Sequence, residues 1–106
     1  MSEPATPLAE PETDTQPRLL PPYHVIIEND DHHSQIFVVL ILRKVFGYDD
    51  VQAIHLMHTA EHAGEAVVWT GPKEVAELKL DQLRTLHEHR DDRDLGPVGC
   101  RIEPAS

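Results

Sequence analysis

The sequence predicts an α+β domain: a three-stranded antiparallel sheet packed by three helices, in the order β-α-α-β-α-β. Short β-branched or apolar runs of strand length occur at Val25-Ile26-Ile27, Ala66-Val67-Val68-Trp69 and Val98–Ile102. Between them, apolar residues recur at helical spacing. Polar, Gly or Pro punctuation separates the segments. Such a pattern covers one face of a small sheet with helices.

The first strand is expected over Tyr23–Glu28, after Pro21-Pro22 stiffen the entry to the domain. Asn29 to Ser34 reads as a polar turn in which Asp31 or Ser34 can cap the next helix. Gln35–Phe46 is apolar nearly all round and should be a largely buried helix, stopped by Gly47. Asp49 or Asp50 caps a second helix through about residue 63, with Val51, Ile54, Met57 and Ala60 at helical spacing. Gly64 ends it, and a second strand follows over Glu65–Thr70. Gly71-Pro72 turns the chain into a third helix over Lys73–His89, striped by Val75, Ala76, Leu78, Leu83 and Leu86. Arg90 to Gly96 is expected to be a charged loop, and Val98–Ile102 the last strand.

At 106 residues the chain holds one domain at most. Residues 1–20 carry Pro4, Pro7, Pro11 and Pro17 among acidic side chains and form an expected disordered extension, leaving 21–106 as the folded domain. The net charge is −10, from 19 acidic and 9 basic residues, which argues against nucleic acid as a partner and for basic ones. No apolar run approaches the ~20 residues of a membrane span, and the start does not read as a signal peptide. Cys100 is the single cysteine, so no internal disulfide forms and a cytoplasmic location is expected.

Four segments in this order and spacing resemble the ClpS family, the adaptors of the Clp protease: Val25-Ile26-Ile27-Glu28-Asn29-Asp30-Asp31, Phe37-Val38-Val39-Leu40, Ala53-Ile54-His55-Leu56-Met57, and Glu74-Val75-Ala76-Glu77-Leu78-Lys79. The resemblance runs from about residue 21 to 103. It implies a non-enzymatic adaptor without cofactor, which binds proteins or peptides with a free hydrophobic N-terminal residue (N-degrons) and delivers them to a ClpA-type or ClpC-type unfoldase.

By this resemblance, Asn29 and Asp30 hold the ligand's α-amino group, and Glu61, standing where the family places a His, is expected to join them as a carboxylate acceptor. The α-amino group has a pKa of about 8, is mostly an ammonium at neutral pH, and needs acceptors. A carboxylate supplies a charge-assisted bond worth about 1.5–3 kcal/mol. The ligand's side chain needs a dry cavity, with Val38, Ile41, Met57, Ala60 and Val98 as expected walls and His33 and Gln35 at the mouth. Read without the resemblance, Asn29-Asp30-Asp31 caps a turn, and the apolar walls are ordinary core. The family usually places Thr-Pro-Met where His33, Ser34 and Gln35 stand here, and a His where Glu61 stands. These departures imply a retuned preference, admitting Ile or Val beside Leu.

Glu74 and Lys79 match the family's unfoldase-contacting positions and are expected to be exposed. Alone, they read as a solvated helix face. The extension of 1–20, which reaches about 65–70 Å when stretched, corresponds to the segment such adaptors offer to the unfoldase. Two other readings stand beside this one. One is an unfoldase-docking regulator that has lost N-degron binding. The other is a His-rich metal-binding module, in which His55, His58 and His62 with Glu61 line one helix and His32-His33 lie nearby. An enzyme would need a nucleophile beside His58 and Glu61, and none is marked.

Overall fold

The computed structural model describes residues 20–105, so nearly all of the expected extension over 1–20 lies outside the described residues. The elements are β1 (Tyr23–Glu28), α1 (Gln35–Phe46), α2 (Asp50–Ala63), β2 (Glu65–Gly71), α3 (Lys73–Arg84), β3 (His89–Arg90), β4 (Arg93–Asp94) and β5 (Cys100–Pro104). β1, β2 and β5 form an antiparallel sheet in the order β2-β1-β5, and β3 and β4 form a separate two-stranded hairpin. No helix among the described residues is long and apolar enough to cross a membrane.

The central strand β1 is buried on both faces. Val25 and Ile27 join the main core with Ile41, Leu42 and Val45 of α1, Ala53 and Ala60 of α2, Ala76 and Leu83 of α3, and Val98. Full burial of a side chain such as Ile41 or Leu42 contributes about 1.5–3 kcal/mol. Ile26 alternates to the other face, opposite Val67 and Arg101, and is 1% exposed. There the Arg101 guanidinium bridges Glu28 (2.8 Å), Glu65 (3.0 Å) and Glu103 (3.4 Å) across all three strands.

The helix ends carry their own chemistry. Ser34 caps α1 by accepting from the Phe37 N–H (3.1 Å), and Asp49 caps α2 by accepting from the Gln52 N–H (2.9 Å). At the far end of α1, Lys79 of α3 donates from Nζ to the Val45 carbonyl (2.9 Å) and lies over the Phe46 ring. The expectation of an exposed Lys79 is therefore corrected: it is half-buried, with its ammonium committed to the end of α1.

Three further boundaries differ from the sequence reading. α3 stops at Arg84 and not near His89. The Thr85 N–H bonds back to the Asp81 and Gln82 carbonyls, and the Thr85 hydroxyl donates to Gln82 O (2.8 Å), which tightens the last turn and releases the chain. Leu86 remains packed against the core, which is why it fits the apolar stripe. The expected charged loop over 90–96 contains the β3–β4 hairpin, turned by Asp91 (φ 55°) and Asp92 (φ 61°); Asp is among the few residues that accept consecutive positive φ. The last strand begins at Cys100, the partner of Ile27, whereas Val98 is a buried loop residue.

The pairing of β1 with β2 shifts between Val25, opposite Trp69, and Ile26, opposite Val67, leaving Val68 as a bulge. The Trp69 indole then lies back over Gly71, where a Cβ would come within 2.7 Å of its Cζ2. Gly71→Ala should therefore lower stability by about 1–3 kcal/mol and shift the emission of Trp69, the only tryptophan. Urea unfolding followed by that fluorescence checks this; an unchanged midpoint and spectrum contradict the close approach.

Candidate functional site

The site forms where β1 ends against the N-terminus of α1 and the last turn of α2. The Asn29 N–H donates to the Gly64 carbonyl (2.9 Å), which ties the acidic turn to the end of α2. Gly64 terminates that helix at φ 89°, a conformation open to glycine and strained for other residues. The Asn29 side chain itself is exposed.

Asp30 organises the turn. Its Oδ1 accepts from the His32 N–H (3.0 Å) and the His33 N–H (2.7 Å). The His33 ring donates from Nδ1 to Asp30 Oδ2 (2.6 Å) and from Nε2 to the Gly96 carbonyl (3.0 Å). Both partners only accept, so the arrangement is complete when both ring nitrogens carry hydrogen and His33 is an imidazolium. That side chain is 3% exposed, and Phe37 stacks beside it.

Burial alone would lower the His33 pKa. The hydrogen bonds to Gly96 and Asp30, with the charges of Asp30 and Glu88, outweigh it and raise the imidazole above its ordinary value. Burial likewise favours a neutral Asp30, but the bonds from His33 and His32 hold that carboxyl below its usual range.

A second carboxylate secures the same corner. Glu88 is 7% exposed and accepts from both the Ser34 N–H (2.9 Å) and the Ser34 hydroxyl (2.6 Å), with Arg90 at 3.5 Å. Burial would raise its pKa; the Ser34 bonds and Arg90 lower it. Arg90 also donates to the His32 carbonyl. Glu88 was not singled out in the sequence, where it looks like one more charge in a charged run.

Asn29, Asp30, Glu28 and Ile27 line one side of a small cavity of about 40 Å³. His33, Gln35 and Val38 face them from the start of α1, and Met57, Ala60, Glu61 and Val98 close the remainder. Ile41, expected in this wall, is instead core at 1% exposure, because it points from α1 toward the sheet. Across the mouth, Gln35 donates from Nε2 to Glu61 Oε2 (2.7 Å), linking α1 to α2. His58 lies 3.4 Å from the other Glu61 oxygen. The volume holds about one water, so a larger occupant must part the Gln35–Glu61 bond.

The metal reading joins His55, His58, His62 and Glu61 of α2 with His32-His33. Among the described residues the metal-type side chains that converge are Asp30, His32 and His33, with ligand atoms within 4.8 Å of one another, and the α2 residues are not part of that group. His33 spends both ring nitrogens on Asp30 and Gly96, so a cation there would have to break the turn's own bonds. Of the α2 histidines, His62 bonds the His58 carbonyl (2.9 Å). Burial pushes the Cys100 thiol up, away from the thiolate form a nucleophile needs.

Comparison with known proteins bears on the family and the fold. The family model described as ATP-dependent Clp protease adaptor protein ClpS matches residues 19–96. A relative from Pectobacterium carotovorum, described as ATP-dependent Clp protease adapter protein ClpS, is 34% identical over 90 residues, covering 83% of this chain and 81% of its own. A relative of the same description from Ruegeria sp. is 36% identical over 96 residues, covering 86% of this chain and 79% of its own. Among solved structures, Agrobacterium tumefaciens ClpS2 bound to L-phenylalaninamide superposes with a TM-score of 0.70 at 28% identity, over 79% of this chain and 96% of that one.

The raised His33 pKa gives a pH signature. Its contribution to stability is fully present below about pH 6.5 and is lost as pH rises through the higher folded value. Asp30 and Glu88, with lowered values, contribute above about pH 4 and lose that contribution as pH falls through their folded values. Above about pH 6.5, the urea-unfolding free energy of the parent should therefore decline more than that of His33→Asn. Parallel pH profiles for the two proteins contradict a charged His33 in the folded state.

Proposed function

The chain belongs to the ClpS family of Clp protease adaptors, and we propose that its cavity captures a free N-terminal residue with an apolar side chain and that the domain hands the attached protein to a Clp unfoldase in the cytoplasm. The observation that carries this reading is the meeting of two kinds of surface in one cavity. Asn29, Asp30 and Glu61 offer acceptors on one rim, and Val38, Met57, Ala60 and Val98 offer apolar walls. L-phenylalaninamide, the ligand of the Agrobacterium ClpS2, carries the two matching groups: an α-amino group and an apolar side chain.

In this reading the ligand enters by exchange. The free protein keeps Glu61 occupied by the Gln35 amide, and an incoming ammonium replaces that donor with a charged one, the stronger partner for a carboxylate. Displacing Gln35 also opens the space that the side chain of the first residue fills. Met57, unbranched and adaptable, accommodates different shapes. Asp30 acts from behind a hydrogen-bonded turn, so its substitution disturbs folding as well as binding. Asn29 and Glu61 report on the ligand more cleanly.

A panel of labelled peptides differing only in residue one, read by fluorescence anisotropy, tests this. Peptides beginning with Leu, Ile, Val or Phe should bind and their N-acetylated forms should not. Asn29→Ala and Glu61→Gln should each weaken binding about tenfold, the equivalent of about 1.4 kcal/mol. Gln35→Ala, which removes the competing donor, should tighten it by a few-fold, within about 0.5–1.5 kcal/mol. Binding that survives acetylation, or is indifferent to Asn29 and Glu61, removes the ammonium site.

Docking to a ClpA-type or ClpC-type unfoldase falls to the exposed first half of α3. Glu74 is exposed there, beside Val75 (37% exposed) and Leu78 (53% exposed). Lys79 supports the surface from within by holding the end of α1. Glu74→Lys should weaken co-sedimentation with a purified unfoldase while leaving peptide affinity unchanged; equal co-sedimentation removes Glu74 from the interface.

A further inference from the structure

The cavity read as the N-degron site does not account for the depression beside it. Along the outer side of α1 and α2, Ile36, Val39, Leu40 and Ile54 line a groove of about 360 Å³. That size is in the range of about 300–1,000 Å³ ordinary for ligand sites. The first cavity, at about 40 Å³, is near the size of one water. Ile36 is 81% exposed, Leu40 54% and Ile54 41%. A surface helix normally turns polar side chains outward. α1 buries Ile41, Leu42 and Val45 and still presents Ile36 and Leu40, one turn apart, to solvent. Clustered apolar exposure of this kind marks a surface that receives a ligand.

Its place identifies the ligand. Gln35 and Met57 are walls of both the cavity and the groove. A chain held by its first residue in the cavity crosses those two side chains as it leaves. Successive side chains of an extended peptide point to opposite sides, so one of the second and third residues faces the groove. We propose that the groove is a second subsite, which takes an apolar side chain from the second or third position of the bound N-degron. The protein then selects for a pair of apolar residues near the N-terminus and not for the first alone. The inference rests on the reading of the cavity as the N-degron site.

The test uses the full chain and three labelled peptides that begin Leu-Leu-Ser, Leu-Ser-Leu and Leu-Ser-Ser before a common polar tail. At least one of the first two should bind about fivefold or more tighter than Leu-Ser-Ser. Leu40→Ser and Ile36→Ser change exposed side chains, so the core stays intact. Each should erase that difference while leaving the affinity for Leu-Ser-Ser within about twofold. Equal affinity of the parent for all three peptides overturns the subsite and leaves the N-degron cavity standing. Failure of every free N-terminus to bind overturns the cavity reading, and the subsite with it. A dimer in sedimentation that Leu40→Ser disperses assigns the groove to a second copy of the chain and overturns the proposal.

Discussion

The clasp between the acidic turn and the segment that follows α3 is the constraint on which the site depends. His33 joins Asp30 to the Gly96 carbonyl, and Glu88 holds both the N–H and the hydroxyl of Ser34. Residues 54 and 63 positions apart in sequence are thereby fixed against each other. Without this clasp, the turn would have to be ordered by its local bonds alone, and the start of α1 would lose a buried anion near its N-terminus. With it, Asn29 and Asp30 are presented at one place relative to Glu61, which the Asn29–Gly64 bond brings near from the other side. Leaving such a buried carboxylate without partners costs several kcal/mol, so the corner is ordered as a unit.

Local chemistry made most of the fold legible. The bounds of β1, α1 and α2 follow from a β-branched run, two side-chain caps and two glycine stops, all within a few residues of the elements they define. Long-range chemistry was not legible. α3 ends without Gly or Pro, through a threonine that bonds back on its own turn, so an apolar stripe running on to Leu86 looked helical. The hairpin lies among charges with no alternating apolar pattern, and its only sign is Asp91-Asp92. The family resemblance pointed to one corner, and Asn29, Asp30, His33, Gln35, Val38, Met57, Ala60, Glu61 and Val98 line one cavity there. Ile41 shows the limit of that reasoning: on a helix apolar nearly all round, periodicity does not say which side faces a cavity and which the core. Lys79 and Glu88 show another, since a charge reads as solvated until its distant partner is seen.

Two carboxylates of the cavity are already engaged in the free protein. Asp30 is bonded by its own turn and Glu61 by Gln35, with His58 3.4 Å away. No bare carboxylate is left in a small apolar space, where desolvation would favour its neutral form. In the proposed reading, capturing an ammonium is an exchange of donors, and the gain is the difference between a charged donor and a neutral amide. In that reading shape adds to it, because a ligand with an apolar side chain would fill the volume that Gln35 vacates. The chain as a whole carries net charge −10, a balance that favours cationic partners at low ionic strength.

The most direct measurement is a titration of isotopically labelled protein with L-leucinamide, followed residue by residue in backbone amide NMR spectra. The account predicts saturable shifts centred on Asn29, Asp30, Gln35, Met57 and Glu61, and none with N-acetyl-L-leucinamide. Shifts that spare this corner, or that persist with the acetylated compound, contradict the assignment of the cavity to a free N-terminal residue.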